Sequence, residues 1–235
     1  MLRWGAALVV ACATATPSYV IESDLLTKDA CAAIIDAVER FGFSQAPDTI
    51  DKDDPVQPPM VQADVFEQAE VRAPEVMALV DPHLPRLVRL VDRAKRARGV
   101  DTATRFDWIF VRKYAATSRR DRLRAHKDGN LWSVNVFLNS INESFVSGGL
   151  FLADGPADSA GTAVWSDEFL DGDMLEVHHP PQVAGWGIVH DNHVWHGIAP
   201  LASGVKYSLL LFADMSDAQI EGDVVTIATF TNAGD

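Results

Sequence analysis

Cysteine is almost missing from this chain. Cys12 and Cys31 are the only two in 235 residues, which excludes a disulfide framework or a cysteine-rich zinc module. Basic residues are also scarce: Lys and Arg total 20 against 33 Asp and Glu, a formal net charge of −13. So acidic a surface excludes nucleic acid or anionic lipid as a general partner. No apolar stretch approaches the ~20 residues of a transmembrane helix, so no stable membrane insertion is expected. Internal repeats are lacking too. What is present is ample apolar material, 48% of residues with mean hydropathy near zero. That argues against global disorder and is enough for one sizeable core.

The N-terminus reads as a brief leader. Met1-Leu2-Arg3 supplies a positive charge, Trp4 to Cys12 is apolar, and Ala13-Thr14-Ala15 offers small residues at a cleavage site. Residues 1–15 are thus expected to be a signal peptide, placing the mature chain in the secretory pathway (endoplasmic reticulum lumen) or outside the cell. The competing reading is an ordinary N-terminus on a cytoplasmic protein. Residues 16–104 then read as a helical support region with a lid loop. Ser18 to Ser23 alternates as an edge strand. Thr27 is a good N-cap for a helix carrying Ala30, Ala33, Ile34, Ala37 and Val38 up to Gly42. Residues 44–60 hold Pro47, Pro55, Pro58 and Pro59 and read as loop. Pro74 to Arg98 is helical again, interrupted at Pro82 or Pro85. The basic residues Arg93, Lys95, Arg96 and Arg98 near its end suit the helix dipole and a solvated surface.

From Arg105 the character changes to short apolar runs separated by Gly, Asp, Asn and Pro. The spacing predicts strands at 106–114, 131–138, 149–153, 162–165, 173–178, 186–190, 205–213 and 223–230. Many short strands with such punctuation make a mainly β sandwich or barrel, of which the jelly roll is one solution.

The residues that carry chemistry are few and lie in this half. In His126-Lys127-Asp128 an imidazole and a carboxylate stand two apart, on one side of the chain if the segment is extended. A second imidazole arrives in Trp195-His196-Gly197-Ile198-Ala199-Pro200. Two neutral imidazoles and a carboxylate form the facial triad that leaves one side of a ferrous ion open. Lys206 begins an apolar strand-like run, Lys206-Tyr207-Ser208-Leu209-Leu210-Leu211-Phe212, and would need an anion if buried. A dicarboxylic cosubstrate is one such anion. His190 and His193 crowd the distal site, so a zinc site could also be written from these histidines.

In order, the chain shows Arg112-Lys113-Tyr114, His126-x-Asp128, Ser133 to Asn139, Gly148-Gly149-Leu150-Phe151, His196-Gly197-x-x-Pro200 and Lys206. Across roughly Phe106 to Asp214 this resembles the iron(II)- and 2-oxoglutarate-dependent dioxygenases, in their prolyl 4-hydroxylase-like branch. The resemblance implies a double-stranded β-helix core over 105–235, with the N-terminal helices as support. It implies Fe(2+) on His126, Asp128 and His196, and favours His196 over His190 and His193. It gives Lys206 the distal carboxylate of 2-oxoglutarate, with Tyr114 and Ser133 assisting. Dioxygen would be the second cosubstrate, L-ascorbate an accessory reductant, and succinate and carbon dioxide the coproducts. Retention of Asp128 implies hydroxylation rather than halogenation, with a prolyl or other peptidyl residue as the substrate suggested. Leu150-Phe151 replace the acidic and threonine residues that commonly follow Gly148-Gly149 in that branch, which puts the substrate in doubt. The arginines between Thr117 and Arg124 would border the site mouth, either drawing an acidic peptide or pairing with the protein's own carboxylates.

Two other classes stay open on the residues alone. A zinc-dependent hydrolase leaves Lys206 unexplained and offers no obvious general base. A non-catalytic jelly-roll binding module leaves the intact triad and anchor unexplained.

Overall fold

A computed structural model of the chain describes residues 19–46, 60–118, 120–153 and 177–214. The expected leader and the strands expected at 162–165 and 223–230 lie outside these residues.

The strands are β1 (Tyr19–Glu22), β2 (Ser44–Ala46), β3 (Met60–Glu67), β4 (Glu70–Val71), β5 (Phe106–Ala115), β6 (Leu123–His126) and β7 (Trp132–Phe137). They continue with β8 (Phe145–Val146), β9 (Gly149–Ala153), β10 (Val177–His178), β11 (Gly187–Asp191), β12 (Trp195–Ala199) and β13 (Ser203–Ala213). The helices are α1 (Lys28–Phe41), α2 (Pro74–Val80) and α3 (Leu84–Ala97), the last two joined by a 3-10 turn, Asp81–His83.

Among the described residues the strands form two antiparallel sheets. The larger has nine strands, running β1-β11-β7-β13-β5-β3-β2 with β4 and β8 attached at the side. The smaller is β10-β9-β12-β6. Alternation along each strand of the large sheet sends one set of side chains to the helices and the other to the small sheet. Ile109, Val111, Val134, Val136, Leu209 and Leu211 pack on the helical side. Tyr114, Phe137 and Ile188 meet Leu123, Leu150, Leu152 and Ile198 of the small sheet in a second cluster. Two facing antiparallel sheets with helices on the outer face make the jelly roll with supporting helices that the sequence suggests.

α1 forms where expected: Thr27 Oγ1 accepts from the Ala30 amide at 3.1 Å, and Gly42 ends it at φ 94°. Its buried stripe is Cys31, Ile34, Ala37 and Val38. Pro82 falls in the 3-10 turn that separates α2 from α3, the predicted interruption. β1 is an edge strand, as read, paired with β11. The region 16–104 also supplies strands that sequence reasoning does not anticipate. β3 pairs with β5 through Val61↔Lys113 to Glu67↔Trp108, extending the large sheet past the predicted core. Its register shifts between Asp64 and Phe66, and that irregularity hides the two-residue period.

The basic run at the end of α3 is exposed except for Lys95, and three of its four residues pair within the chain. Arg93 pairs with Glu22 at 2.5 Å, Arg98 with Asp191 at 3.2 Å, and buried Lys95 with Asp214 at 2.5 Å. Among the described residues no helix is long and apolar enough to cross a membrane.

Candidate metal and cosubstrate site

The site lies between the sheets. β6 ends at His126, which pairs directly with His196 on β12. That register brings two imidazoles distant in sequence to a centroid separation of 4.3 Å. Gly197 makes the approach possible: a Cβ there would stand 2.7 Å from the Leu123 carbonyl oxygen and from the Phe151 ring. Asp128 follows β6 and places Oδ1 at 3.5 Å from Nε2 of both His126 and His196. The three side chains offer donor atoms all within 4.8 Å of one another, and all three residues are buried. This spacing suits a single ion with open positions.

The imidazoles are oriented by backbone. His126 Nδ1 lies 2.8 Å from the Arg124 carbonyl, and His196 Nδ1 lies 3.1 Å from that of Val194. A carbonyl oxygen only accepts, so each Nδ1 carries the proton and each Nε2 keeps its lone pair for a metal. The other Asp128 oxygen, Oδ2, accepts a hydrogen bond from Ser133 Oγ, which in turn accepts from Asn130 Nδ2 at 3.0 Å. Ser133 therefore holds the second oxygen of the carboxylate. Burial pushes the Asp128 carboxyl upward, but His196, His126 and His190 outweigh it and hold the group well below the usual carboxylate range.

His190, which the resemblance set aside in favour of His196, lines the same cavity. Its Nδ1 is 3.0 Å from the Asp191 carbonyl, its Nε2 is 3.8 Å from Asp128 Oδ2, and its ring centroid is 4.4 Å from that of His196. Burial first, then the neighbouring His196, lowers its pKa to about 4. The signal for it was β11 itself, whose alternation turns Ile188 and His190 inward together. His193 is exposed in the turn after β11, where its amide donates to Asp191 Oδ1 at 3.0 Å.

Register on the large sheet places the anchor residues. Lys206 stands opposite Tyr114, and Ser208 opposite Arg112, on adjacent strands β13 and β5. Tyr114, Arg112 and Ser208 line the cavity beside the triad. The Lys206 ammonium donates to Ser208 Oγ and lies 5.5 Å from the Phe137 ring centroid. No carboxylate of a described residue pairs with it, and burial alone lowers its pKa from the ordinary 10.5 to about 7. In the loop before β6, Arg122 bonds Asp121 at 3.0 Å, in keeping with internal pairing of that basic run.

The sequence matches no protein-family model and no curated protein. Solved structures match the fold over most of the chain. A 2OG-Fe(II) oxygenase family oxidoreductase from Burkholderia pseudomallei aligns at TM-score 0.58 and 15% identity, covering 84% of this chain and 85% of that one. This is the fold of the 2OG-Fe(II) oxygenases. The alpha-ketoglutarate-dependent carbocyclase SnoK from nogalamycin biosynthesis aligns at TM-score 0.60 and 16% identity, over 85% of this chain and 80% of its own. A prolyl hydroxylase from Trichoplax adhaerens, solved with a peptide fragment, aligns at 0.56 and 14%, over 85% and 84%. At these identities the fold is shared while the reactions of the neighbours differ.

Proposed function

We propose that this chain is an iron(II)- and 2-oxoglutarate-dependent oxygenase that hydroxylates its substrate. The observation that carries the reading is a cavity that holds the buried His126–Asp128–His196 triad and whose wall residue Ser208 accepts from a buried Lys206 with no carboxylate partner among the described residues.

The residues fit the two groups. The donor set of two imidazoles and one carboxylate suits ferrous iron, and each imidazole is already in the tautomer that coordination needs. Lys206 lacks a counter-anion, and the buried side-chain oxygen of Asn135, on the cavity wall, has no hydrogen-bond partner. Such unmet polar groups are expected where a polar ligand completes the site. His126, Asp128 and His196 would hold the metal, and Ser133 would fix the free oxygen of Asp128. Lys206 and Ser208 would take the distal carboxylate of 2-oxoglutarate, with the Tyr114 hydroxyl beside them. The bound iron would supply dioxygen activation coupled to decarboxylation of 2-oxoglutarate. Leu123, Leu150 and Ile198 wall the cavity with apolar surface and exclude water from it.

Retention of Asp128 supports hydroxylation, since it leaves no ligand position for a halide. The test is succinate formation from 2-oxoglutarate by wild type and by single variants. His126→Ala, Asp128→Ala and His196→Ala should each abolish it, because coordination needs lone pairs at fixed places, while the exposed His193→Ala should leave it intact. Loss on His193→Ala with His196→Ala active would contradict the assignment.

A further inference from the structure

Lys206 is not the only buried cation on the β5–β13 pair beside this cavity. Arg112 is 5% exposed and lines the cavity wall, opposite Ser208 and two register positions from Lys206 on the β5–β13 pair. Its Nε donates to Gln62 Oε1 at 3.2 Å, and its guanidinium carbon lies 5.0 Å from the Phe110 ring centroid. Gln62 Nε2 donates in turn to Asp64 Oδ1 at 2.7 Å, which also accepts from Trp108 Nε1 at 3.0 Å. This relay fixes the guanidinium from behind. No carboxylate of a described residue forms an ion pair with Arg112, so its outer N–H groups are left for the cavity.

On the oxygenase reading, 2-oxoglutarate brings one remote carboxylate, and Lys206 with Ser208 accounts for it. One anion held by Lys206 and Ser208 leaves the second buried cation, on the adjacent strand, without a counter-charge of its own. A guanidinium held at Nε presents its remaining donors as a planar fork, the geometry that matches a carboxylate bidentately. Arg112 is also displaced toward β3, away from the Ser133 and His190 side of the large sheet. We propose that Arg112 is a recognition residue for the primary substrate, and that this substrate carries a carboxylate. The second anion in the cavity is then the substrate's own.

The inference rests on the oxygenase reading, and its test keeps the two apart. Protein loaded with Mn(II) and saturating 2-oxoglutarate is titrated calorimetrically with phenylacetate and, separately, with the uncharged phenylacetamide. Phenylacetate should bind at least about tenfold more tightly than the amide, a gap of about 1.4 kcal/mol. Arg112→Met should remove that preference while 2-oxoglutarate affinity changes less than about threefold, well inside one tenfold step. Arg112→Lys, which keeps the charge and loses the fork, should fall between. Equal binding of acid and amide, or no binding of phenylacetate to the loaded wild type, would overturn the proposal. So would an Arg112→Met variant that loses 2-oxoglutarate rather than phenylacetate, since Arg112 would then serve the cosubstrate. Failure of 2-oxoglutarate to bind the Mn(II) wild type is a separate result, which ends the oxygenase reading and this proposal with it.

Discussion

Lys206 is a fully buried cation with no carboxylate partner among the described residues. Its folded-state pKa, about 7, lies below the ordinary 10.5 of the unfolded chain. The unfolded chain therefore binds more protons between those values, and the stability of ligand-free protein should rise with pH across that window. At about 1.4 kcal/mol per pKa unit, keeping Lys206 charged below pH 7 costs roughly 5 kcal/mol. Lys206→Met should raise the denaturant midpoint of the ligand-free protein at pH 6 and flatten its rise toward pH 10. A steeper rise in the variant would contradict this account. A 2-oxoglutarate carboxylate bound as proposed would reverse the balance by favouring the ammonium. Binding at pH 8 should take up a proton, seen as different calorimetric enthalpies in phosphate and Tris buffers. Equal enthalpies would place the carboxylate elsewhere.

At the scale of elements, close backbone approach sets the site. Gly148 sits at φ 71°, and a Cβ there would lie 2.3 Å from the Pro200 carbonyl oxygen, so β9 and the end of β12 meet only over a glycine. Gly148→Ala adds a left-handed penalty of about 1–2 kcal/mol to a clash with backbone, and a total loss of roughly 2–4 kcal/mol is expected in denaturant melts. A loss under about 0.5 kcal/mol, the size of a neutral surface change, would show that the loop shifts freely.

The legibility of the sequence divides along the same line. The His126–Asp128–His196 cluster could be read because metal chemistry restricts residue type, and α1 because its cap and apolar stripe are local. Arg112 beside Ser208 depends on cross-strand register, His190 against His196 on how one sheet packs over the other, and Ser133 on Asp128 on the turn between β6 and β7, none of which a local pattern prints. β6 hides in an arginine-rich run, β12 is interrupted by Gly197, and β3 is broken by its register shift.

Taken whole, the molecule is an acidic jelly roll whose interior holds a cationic pocket. In a chain of net charge −13, Arg112 lines the cavity and Lys206 lies buried beside it, bonded to the wall residue Ser208. Helices on the outer face of the large sheet stiffen β5, β7 and β13, the strands that carry Arg112, Tyr114 and Ser133 and the Lys206 end of the site. Ligands that bind only this assembled state must stabilise it by mass action. The most direct measurement is an anaerobic thermal melt with Fe(II) or Mn(II), with 2-oxoglutarate, and with both. At about 100-fold excess over Kd the stabilisation is about 2.7 kcal/mol, or roughly 5–10 °C for a domain of this size. The account predicts that the shift with both together exceeds the shift with either alone, and that His196→Ala abolishes it. An unchanged melting temperature with metal and 2-oxoglutarate together would contradict it.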